Sequence, residues 1–285
     1  MSKYLVLYNP LSKRGHGEED AKRIEKFLDP SEITYVDATK LENDMDYIRS
    51  IPADTQVILT GGDGTLNRAM NLIREKGIER PVYYFPAGTG NDFIIDIEKS
   101  KDCEPFEIRE YMEGLPEVRV NGIRIKFING IGYGLDGYCC AEHDRYKAMG
   151  KERSYVLLAF IGLMHKFKPV HAKITVDGVM KEYDGIYMAP TMFGRYYGGG
   201  VKIAPSQNRK NPEHTVTQVA VFSKSRIAAL LAFLGVTNGK GETMPKHLEY
   251  RTGREVKVEF DKPTALQIDG ETVLDVLTYE VSAAK

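Results

Sequence analysis

Gly61-Gly62-Asp63-Gly64-Thr65 stands between the apolar run Val57-Ile58-Leu59 and residues 66–76, whose spacing predicts a helix. Strand, glycine turn and helix together form the unit from which a parallel α/β sheet is built. Glycines lack Cβ and reach positive φ, so the amides of such a turn can approach an anion closely. The helix N-terminus adds N–H donors and partial positive charge. An aspartate among those donors repels phosphate unless it handles a cation or a proton. The pentapeptide therefore points to metal–nucleotide chemistry. A plainer reading makes it a turn in which Asp63 or Thr65 caps the helix.

The same alternation surrounds it. Residues 3–8, 33–37, 56–60 and 82–85 read as strands, and 18–28, 43–50, 66–76 and 106–113 as helices. From residue 117 the pattern turns to β, with strands expected at 117–120, 123–131, 172–176, 183–189, 216–222, 256–260, 265–268 and 273–281. Asn121-Gly122, Asp177-Gly178 and Asp269-Gly270 carry hairpin chemistry. Helical stretches at 154–168 and 225–234 interrupt the strands. The expected architecture is α/β plus β. A parallel α/β nucleotide-binding domain over 1–117 precedes a β-sandwich domain over 118–285, whose last residues can return to the first.

Composition narrows the function. The chain has 285 residues, with 39 Lys and Arg against 40 Asp and Glu, a net charge of -1. That balance argues against a dedicated nucleic-acid binder. The N-terminus lacks a basic region followed by a long apolar core. The longest apolar stretches, 155–164 and 227–236, fall short of the roughly 20 residues a bilayer span needs. Cys103, Cys139 and Cys140 give no disulfide framework, which fits a reducing cytoplasm. Cys139-Cys140 with His143 lacks a second zinc-spaced ligand pair, so buried thiols are expected. His143-Asp144 reads as a dyad without partners.

Two further glycine-bearing loops follow expected strands. They are Asn9-Pro10-Leu11-Ser12-Lys13-Arg14-Gly15-His16-Gly17 and Pro86-Ala87-Gly88-Thr89-Gly90-Asn91-Asp92. In a parallel sheet these loops and Gly61–Thr65 emerge at one carboxyl edge, where open α/β folds bind ligands. Ser12, Lys13, Thr65 and Thr89 can donate to phosphates. Asn91 and Asp92 can orient phosphates or a metal hydration shell. No glycine-rich segment ends in Gly-Lys-Ser or Gly-Lys-Thr, so this is not a Walker loop. The protein-kinase signature set is also absent. Late in the chain, Asp269-Gly270-Glu271 reads either as a hairpin turn or as a carboxylate able to deprotonate an acceptor hydroxyl.

Together these features resemble the diacylglycerol kinase catalytic family, in particular its soluble bacterial lipid kinases. The resemblance rests on Asn9-Pro10-x-Ser12, the run from Gly61 to Asn67, and the run from Pro86 to Phe93. It continues through Phe127-Ile128-Asn129-Gly130, Gly132, Gly134-Leu135-Asp136, Gly198-Gly199-Gly200, Ala204-Pro205 and Asp269-Gly270-Glu271. It implies an active site in a cleft between the two domains. It also implies ATP and Mg2+ as cofactors, with phosphoryl transfer to a lipid hydroxyl, diacylglycerol giving phosphatidic acid in phospholipid biosynthesis. The nucleotide site it implies comprises Asn9, Pro10, Ser12, Lys13, Thr39, Gly61, Gly62, Gly64, Thr65, Asn67, Thr89, Asn91 and Asp92. Asp63 would act through magnesium and its waters, and Glu271 as general base. The implied partner is a lipid met at the membrane surface by a cytoplasmic, transiently membrane-associated chain, with a homodimer compatible. Similar glycine–aspartate loops occur in NAD kinases. An NAD kinase-like metabolite kinase, or a lipid- or nucleotide-binding protein with little catalysis, are therefore the alternatives.

Three departures stand out. Lys13 and Arg14 intervene before Gly15, where the family commonly has glycine directly. Residues 208–215 read Asn-Arg-Lys-Asn-Pro-Glu-His-Thr in place of the Asp-Gly-x-x-Asp that holds a structural magnesium in some members. Arg119 replaces an aspartate before the Phe-x-Asn motif. The apolar segment 155–164, followed by Lys166 and Lys168, reads as a core helix, an acyl groove or a membrane-facing surface. Tyr196-Tyr197 reads as an interface or a packed loop.

Overall fold

Alternating apolar runs place β1 (Tyr4–Tyr8), β2 (Ile33–Asp37), β3 (Gln56–Gly61) and β4 (Val82–Pro86) side by side in a parallel sheet. The structure, a computed structural model, describes residues 3–41, 43–88, 90–151 and 153–284. It divides into two units, Met1–Glu113 and Gly114–Lys285. Residues just past the division already serve the second unit, since Lys126 Nζ donates to the Leu115 carbonyl and Phe127 N to Pro116.

In the first unit the sheet runs β2-β1-β3-β4-β5, where β5 (Phe106–Glu107) is an antiparallel edge strand. The helices are α1 (Gly17–Lys22), α2 (Asp44–Ser50), α3 (Asp63–Lys76) and α4 (Asp92–Asp96). Val6, Ile58 and Phe85 pack with Ala21 and Ile24 in one buried cluster. The helix expected over 18–28 holds its α form only to Lys22, then tightens into a 3₁₀ turn over Arg23–Lys26. The helix expected over 106–113 is instead β5 and a 3₁₀ turn. There Phe106 packs edge-on against Tyr84 and Tyr111, with ring centroids 5.9 and 5.7 Å away, so aromatic packing overrides helix propensity.

The second unit is antiparallel. Its strands are β6 (Glu117–Val120), β7 (Ile123–Lys126), β8 (Gly130–Tyr133), β9 (Val170–Val176), β10 (Val179–Met188), β11 (Thr191–Met192), β12 (Val216–Phe222), β13 (Leu248–Gly253), β14 (Glu255–Ile268) and β15 (Glu271–Ser282). β14 does double service. Residues 256–260 pair with β9 and residues 266–268 with β8, and two register shifts separate the pairings. The sheet thereby closes through β14-β8-β11-β12-β10-β9, so the sandwich is barrel-like. Bulges supply the bend that lets one strand serve both halves. β15 pairs with β14 and β6, and Ala283 N bonds Arg254 O.

The expected strand 123–131 breaks into β7 and β8, because the amides of residues 128–130 turn to the Asp269 carboxylate. Helices α5 (Leu135–Ala148), α6 (Tyr155–Ile161) and α7 (Arg226–Thr237) complete the unit. A π-helical turn, Gly162–Lys166, extends α6. α5 was not expected, since its buried residues Leu135, Gly137, Cys139 and Cys140 make no 3.6-residue stripe. Among the described residues no helix is long and apolar enough to cross a membrane.

Candidate active site

The strand order 2-1-3-4 reverses between β1 and β3, and open α/β sheets bind ligands at such a switch point. Asn9 and Pro10 follow β1 there, and Gly62 to Thr65 follow β3. Strand β3 runs through Gly61, and α3 begins at Asp63 rather than at Leu66. The pentapeptide is thus the strand end plus the helix's first turn. Its N-cap is Gly62, with no side-chain cap, so the leading amides of α3 are left for an anion. Neither Asp63 nor Thr65 caps it. A Cβ on Gly61 would strike the Thr65 side chain, which explains glycine there.

Asp63 turns its carboxylate to the next loop. Oδ2 accepts from Asp92 N at 2.9 Å and Oδ1 from Phe93 N at 3.0 Å. These charge-assisted bonds fasten the first turn of α3 to the first turn of α4. Behind them, Gly88 lies against Gly62 so closely that a Cβ on Gly88 would collide with the Gly62 backbone. The two loops touch glycine to glycine. Gly88→Ala should therefore destabilise the chain by about 1–3 kcal/mol, the usual cost of overpacking. Thermal melts with and without nucleotide should show a lower Tm and a smaller nucleotide-induced rise.

Asn91 is buried, with φ 54°. Its Nδ2 donates to Gly88 O at 2.9 Å, and its buried Oδ1 has no hydrogen-bond partner among the described residues. Among the described residues, no group of three His, Cys, Asp or Glu is placed to hold a metal ion. A magnesium caged wholly by protein therefore does not fit. Magnesium carried by nucleotide phosphates, keeping several waters and one or two protein contacts, does fit Asp63 and the orphaned Asn91 oxygen.

The other expected nucleotide residues are placed as follows. Asn9 is exposed, and its Oδ1 accepts from Leu11 N while its carbonyl takes Ser12 N and Oγ. Pro10 lies inside this turn. Thr39 follows β2, with N and Oγ1 bonded to Asp37 Oδ1 at 2.9 and 2.6 Å. Asn67 is buried within α3, its Oδ1 taken by Asn71 Nδ2 at 2.7 Å, away from the helix's leading amides. Asp92 is also buried. Thr89 and the Lys13 side chain lie outside the described residues.

In the second unit, Asp269-Gly270 is the two-residue turn between β14 and β15, with φ 46° and 97°. Asp269 accepts from Ile128, Asn129 and Gly130 amides at 2.6, 2.8 and 3.0 Å, so it shapes the Phe127–Gly130 loop. Gln267 Oε1 accepts from Gly270 N at 2.7 Å. Glu271 opens β15 and is exposed, its side chain making no hydrogen bond or ion pair among the described residues. Its carboxylate is therefore available to take a proton. The departing segment 208–215 supplies Arg209, which donates to Asn129 Oδ1 at 3.3 Å and lies over the Phe193 ring.

α5 brings a residue to which the sequence assigned no role. Asp136, in its first turn, has a solvent-free Oδ2 without a hydrogen-bond partner among the described residues, although the residue as a whole is half-buried. Burial pushes its carboxyl up to about 7, and the Tyr197 hydroxyl opposes this by hydrogen bonding. Tyr197 is buried rather than at an interface. It reaches Asp136 from a tight loop, bridged Tyr197 to Val201, in which Gly198, Gly199 and Gly200 all have positive φ. His143-Asp144 is not partnerless. His143 stacks on Tyr155 at 4.6 Å, and Asp144 Oδ2 accepts from Thr272 Oγ1 at 2.7 Å, beside Glu271. Cys139 and Cys140 are buried thiols. Burial, with the field of Asp136, Asp144 and Glu271, raises Cys140 to about 12.

Asp136 carries a pH signature. Its folded-state pKa lies above its unfolded value, so the folded chain holds a proton that the unfolded chain releases near pH 4. The Asp136 contribution to stability should fall as pH rises from about 4 to about 7 and level off above, by on the order of a few kcal/mol across that window. Urea titrations from pH 4.5 to 8 should show that slope in the wild type, and Asp136→Asn should flatten it.

Comparison with known proteins agrees with the two-unit fold. The model of the diacylglycerol kinase catalytic domain matches residues 3–117, and that of the YegS C-terminal NAD kinase beta sandwich-like domain matches 129–281. A diacylglycerol kinase of Mycobacterium tuberculosis (strain ATCC 25618 / H37Rv) is 26% identical over 244 residues, covering 81% of this chain and 77% of the relative. A diacylglycerol kinase of Bacillus subtilis (strain 168) is 24% identical over 289 residues, covering 95% and 90%. A crystal structure of a diacylglycerol kinase from Bacillus anthracis str. Sterne superimposes with a TM-score of 0.61 at 16% identity, covering 100% of this chain and 94% of that one. That likeness shows the fold.

Proposed function

This chain belongs to the diacylglycerol kinase catalytic family, whose members are lipid kinases, and we propose that it moves the γ-phosphoryl group of ATP to a lipid hydroxyl. Diacylglycerol is the preferred acceptor and phosphatidic acid the product. The observation that carries the reading is the Asp63 carboxylate, which ties the uncapped first turn of α3 to the loop bearing Asn91 at the sheet's switch point. The leading amides of α3 and the Asn9–Ser12 turn bind and orient the phosphates. Magnesium bound with the nucleotide supplies charge neutralisation on the phosphates, and Asp63 and Asn91 are the residues that would hold its water shell.

Glu271 accepts the proton of the acceptor hydroxyl. The acceptor oxygen forms a bond to the γ-phosphorus, the bond to the β–γ bridging oxygen breaks, and ADP leaves. The protein works in the cytoplasm and meets its acceptor by transient contact with a membrane surface.

The test is an acceptor panel with γ-labelled ATP and magnesium in detergent micelles. Diacylglycerol, a sphingoid base, phosphatidylglycerol and NAD are offered separately. Label in the lipid phase supports the reading. Label found only on NAD would replace it with a metabolite kinase.

A further inference from the structure

Asn129 is a junction of the second unit. It is buried, its amide donates to Asp269 Oδ1 at 2.8 Å, and its carbonyl accepts from Phe193 N and Gly194 N at 2.9 and 2.8 Å. Its side-chain oxygen accepts from Arg209 Nη2 at 3.3 Å. The same guanidinium lies over the Phe193 ring, 5.5 Å from its centroid. One half-buried planar cation thus grips two residues that meet at this junction, by a charge-assisted hydrogen bond to one and by its face to the other. Asp269 gathers the same loop through three amides and stands two residues before Glu271.

The segment that carries Arg209 is knit by neutral groups. Gln207 is buried at its root, where Nε2 donates to the Phe193 and Thr215 carbonyls at 3.2 and 2.8 Å and Oε1 accepts from Thr217 Oγ1 at 2.6 Å. Asn208 Oδ1 takes Lys210 N and Asn211 Oδ1 takes Glu213 N, both at 3.0 Å, so side-chain amides close the turns. Glu213 is the one carboxylate of residues 206–215, and it is exposed. His214 packs its ring against Gly114, where a Cβ would strike it. A bound magnesium asks for an octahedron of oxygens that includes one or two carboxylates. Among the described residues no three His, Cys, Asp or Glu are grouped for a metal, so a structural magnesium does not fit this segment. The positive charge at the junction comes from the chain itself.

We propose that Arg209 is a built-in cation that holds this junction without a metal ion, and that it is a positioning residue for Glu271, acting through Asn129 and the Asp269 turn. The positioning role rests on the lipid-kinase reading and the built-in cation does not. Amide hydrogen exchange tests the cation without nucleotide or acceptor, so a wild-type chain that phosphorylates no lipid would sink the reading and leave this test intact.

In the wild type the amides of Ile128, Asn129 and Gly130 should be protected equally in EDTA and in millimolar magnesium. Arg209→Met, which keeps an apolar stem, should speed their exchange by about tenfold or more, while amides of the β9–β14 pairing keep the wild-type rate. Arg209→Lys keeps the charge without the planar fork and should recover part of the protection. If Arg209→Met does not fold, Arg209→Gln is read in the same way. With labelled ATP and diacylglycerol, Arg209→Met should lower kcat by about tenfold or more at an unchanged KM for ATP, and Arg209→Lys should restore part of it. Protection that EDTA removes or magnesium increases would mean that a metal holds the junction, and would overturn the proposal. So would wild-type exchange at residues 128–130 in Arg209→Met. Faster exchange with a wild-type kcat would overturn the positioning of Glu271.

Discussion

Glu271→Gln should leave nucleotide binding intact and lower kcat by about 10²–10⁴-fold, the range typical for loss of a general base. Glutamine keeps the size and polarity of an exposed side chain that makes no hydrogen bond or ion pair among the described residues, so folding should be unaffected. The hairpin is held by other groups. Asp269 takes three amides, and Gln267 takes the Gly270 amide. Calorimetric titration with ATP should give the wild-type affinity, and the wild-type and variant melting curves should overlay. The loss should appear in kcat rather than KM, because the group acts on the acceptor proton in the transition state. Near-normal turnover would assign the base elsewhere, with Asp136 the next carboxyl to test.

Asp63→Ala should be costly in a different way. It removes the carboxylate to whose two oxygens the Asp92 and Phe93 amides donate. Hydrogen bonds to charged groups contribute about 1.5–3 kcal/mol each, so the two loops should part and Tm should drop by several degrees. Misplaced phosphate-binding loops and a missing charge should together lower kcat/KM by on the order of 10³-fold or more. Asp63→Asn separates the two causes. Its amide oxygen still accepts from one of the two N–H groups, so much of the stability should return. The charge does not return, so activity should stay low. Recovery of activity in Asp63→Asn would reduce Asp63 to a structural tie.

These two carboxylates also show what the sequence could and could not disclose. The strand-end loop Gly61–Thr65 was legible because a glycine-rich strand–turn–helix junction is local. Gly61 to Thr65 carries its strand, turn and helix in one stretch, and only the helix start shifted, to Asp63. The direction of the Asp63 side chain was not legible, since its partners lie about thirty residues on. Asp269 and Glu271 read as one motif, yet the first builds a loop and the second makes no side-chain hydrogen bond or ion pair among the described residues. Asp136 was visible only as a letter in Gly-Leu-Asp. Its environment is made by Tyr197 and the packing of α5, a helix without an amphipathic stripe to announce it. The segment 106–113 has helical spacing, but tertiary aromatic contacts made it a strand and a turn.

The central claim is transfer to a lipid, and the most direct measurement follows both products of one reaction. Wild-type protein is incubated with γ-labelled ATP, magnesium and diacylglycerol in mixed micelles, and ADP and organic-phase phosphate are counted together. The account predicts one phosphorylated lipid for each ADP formed, with Glu271→Gln suppressing both in step. ADP formed without lipid phosphate, or label confined to the aqueous phase, would contradict it.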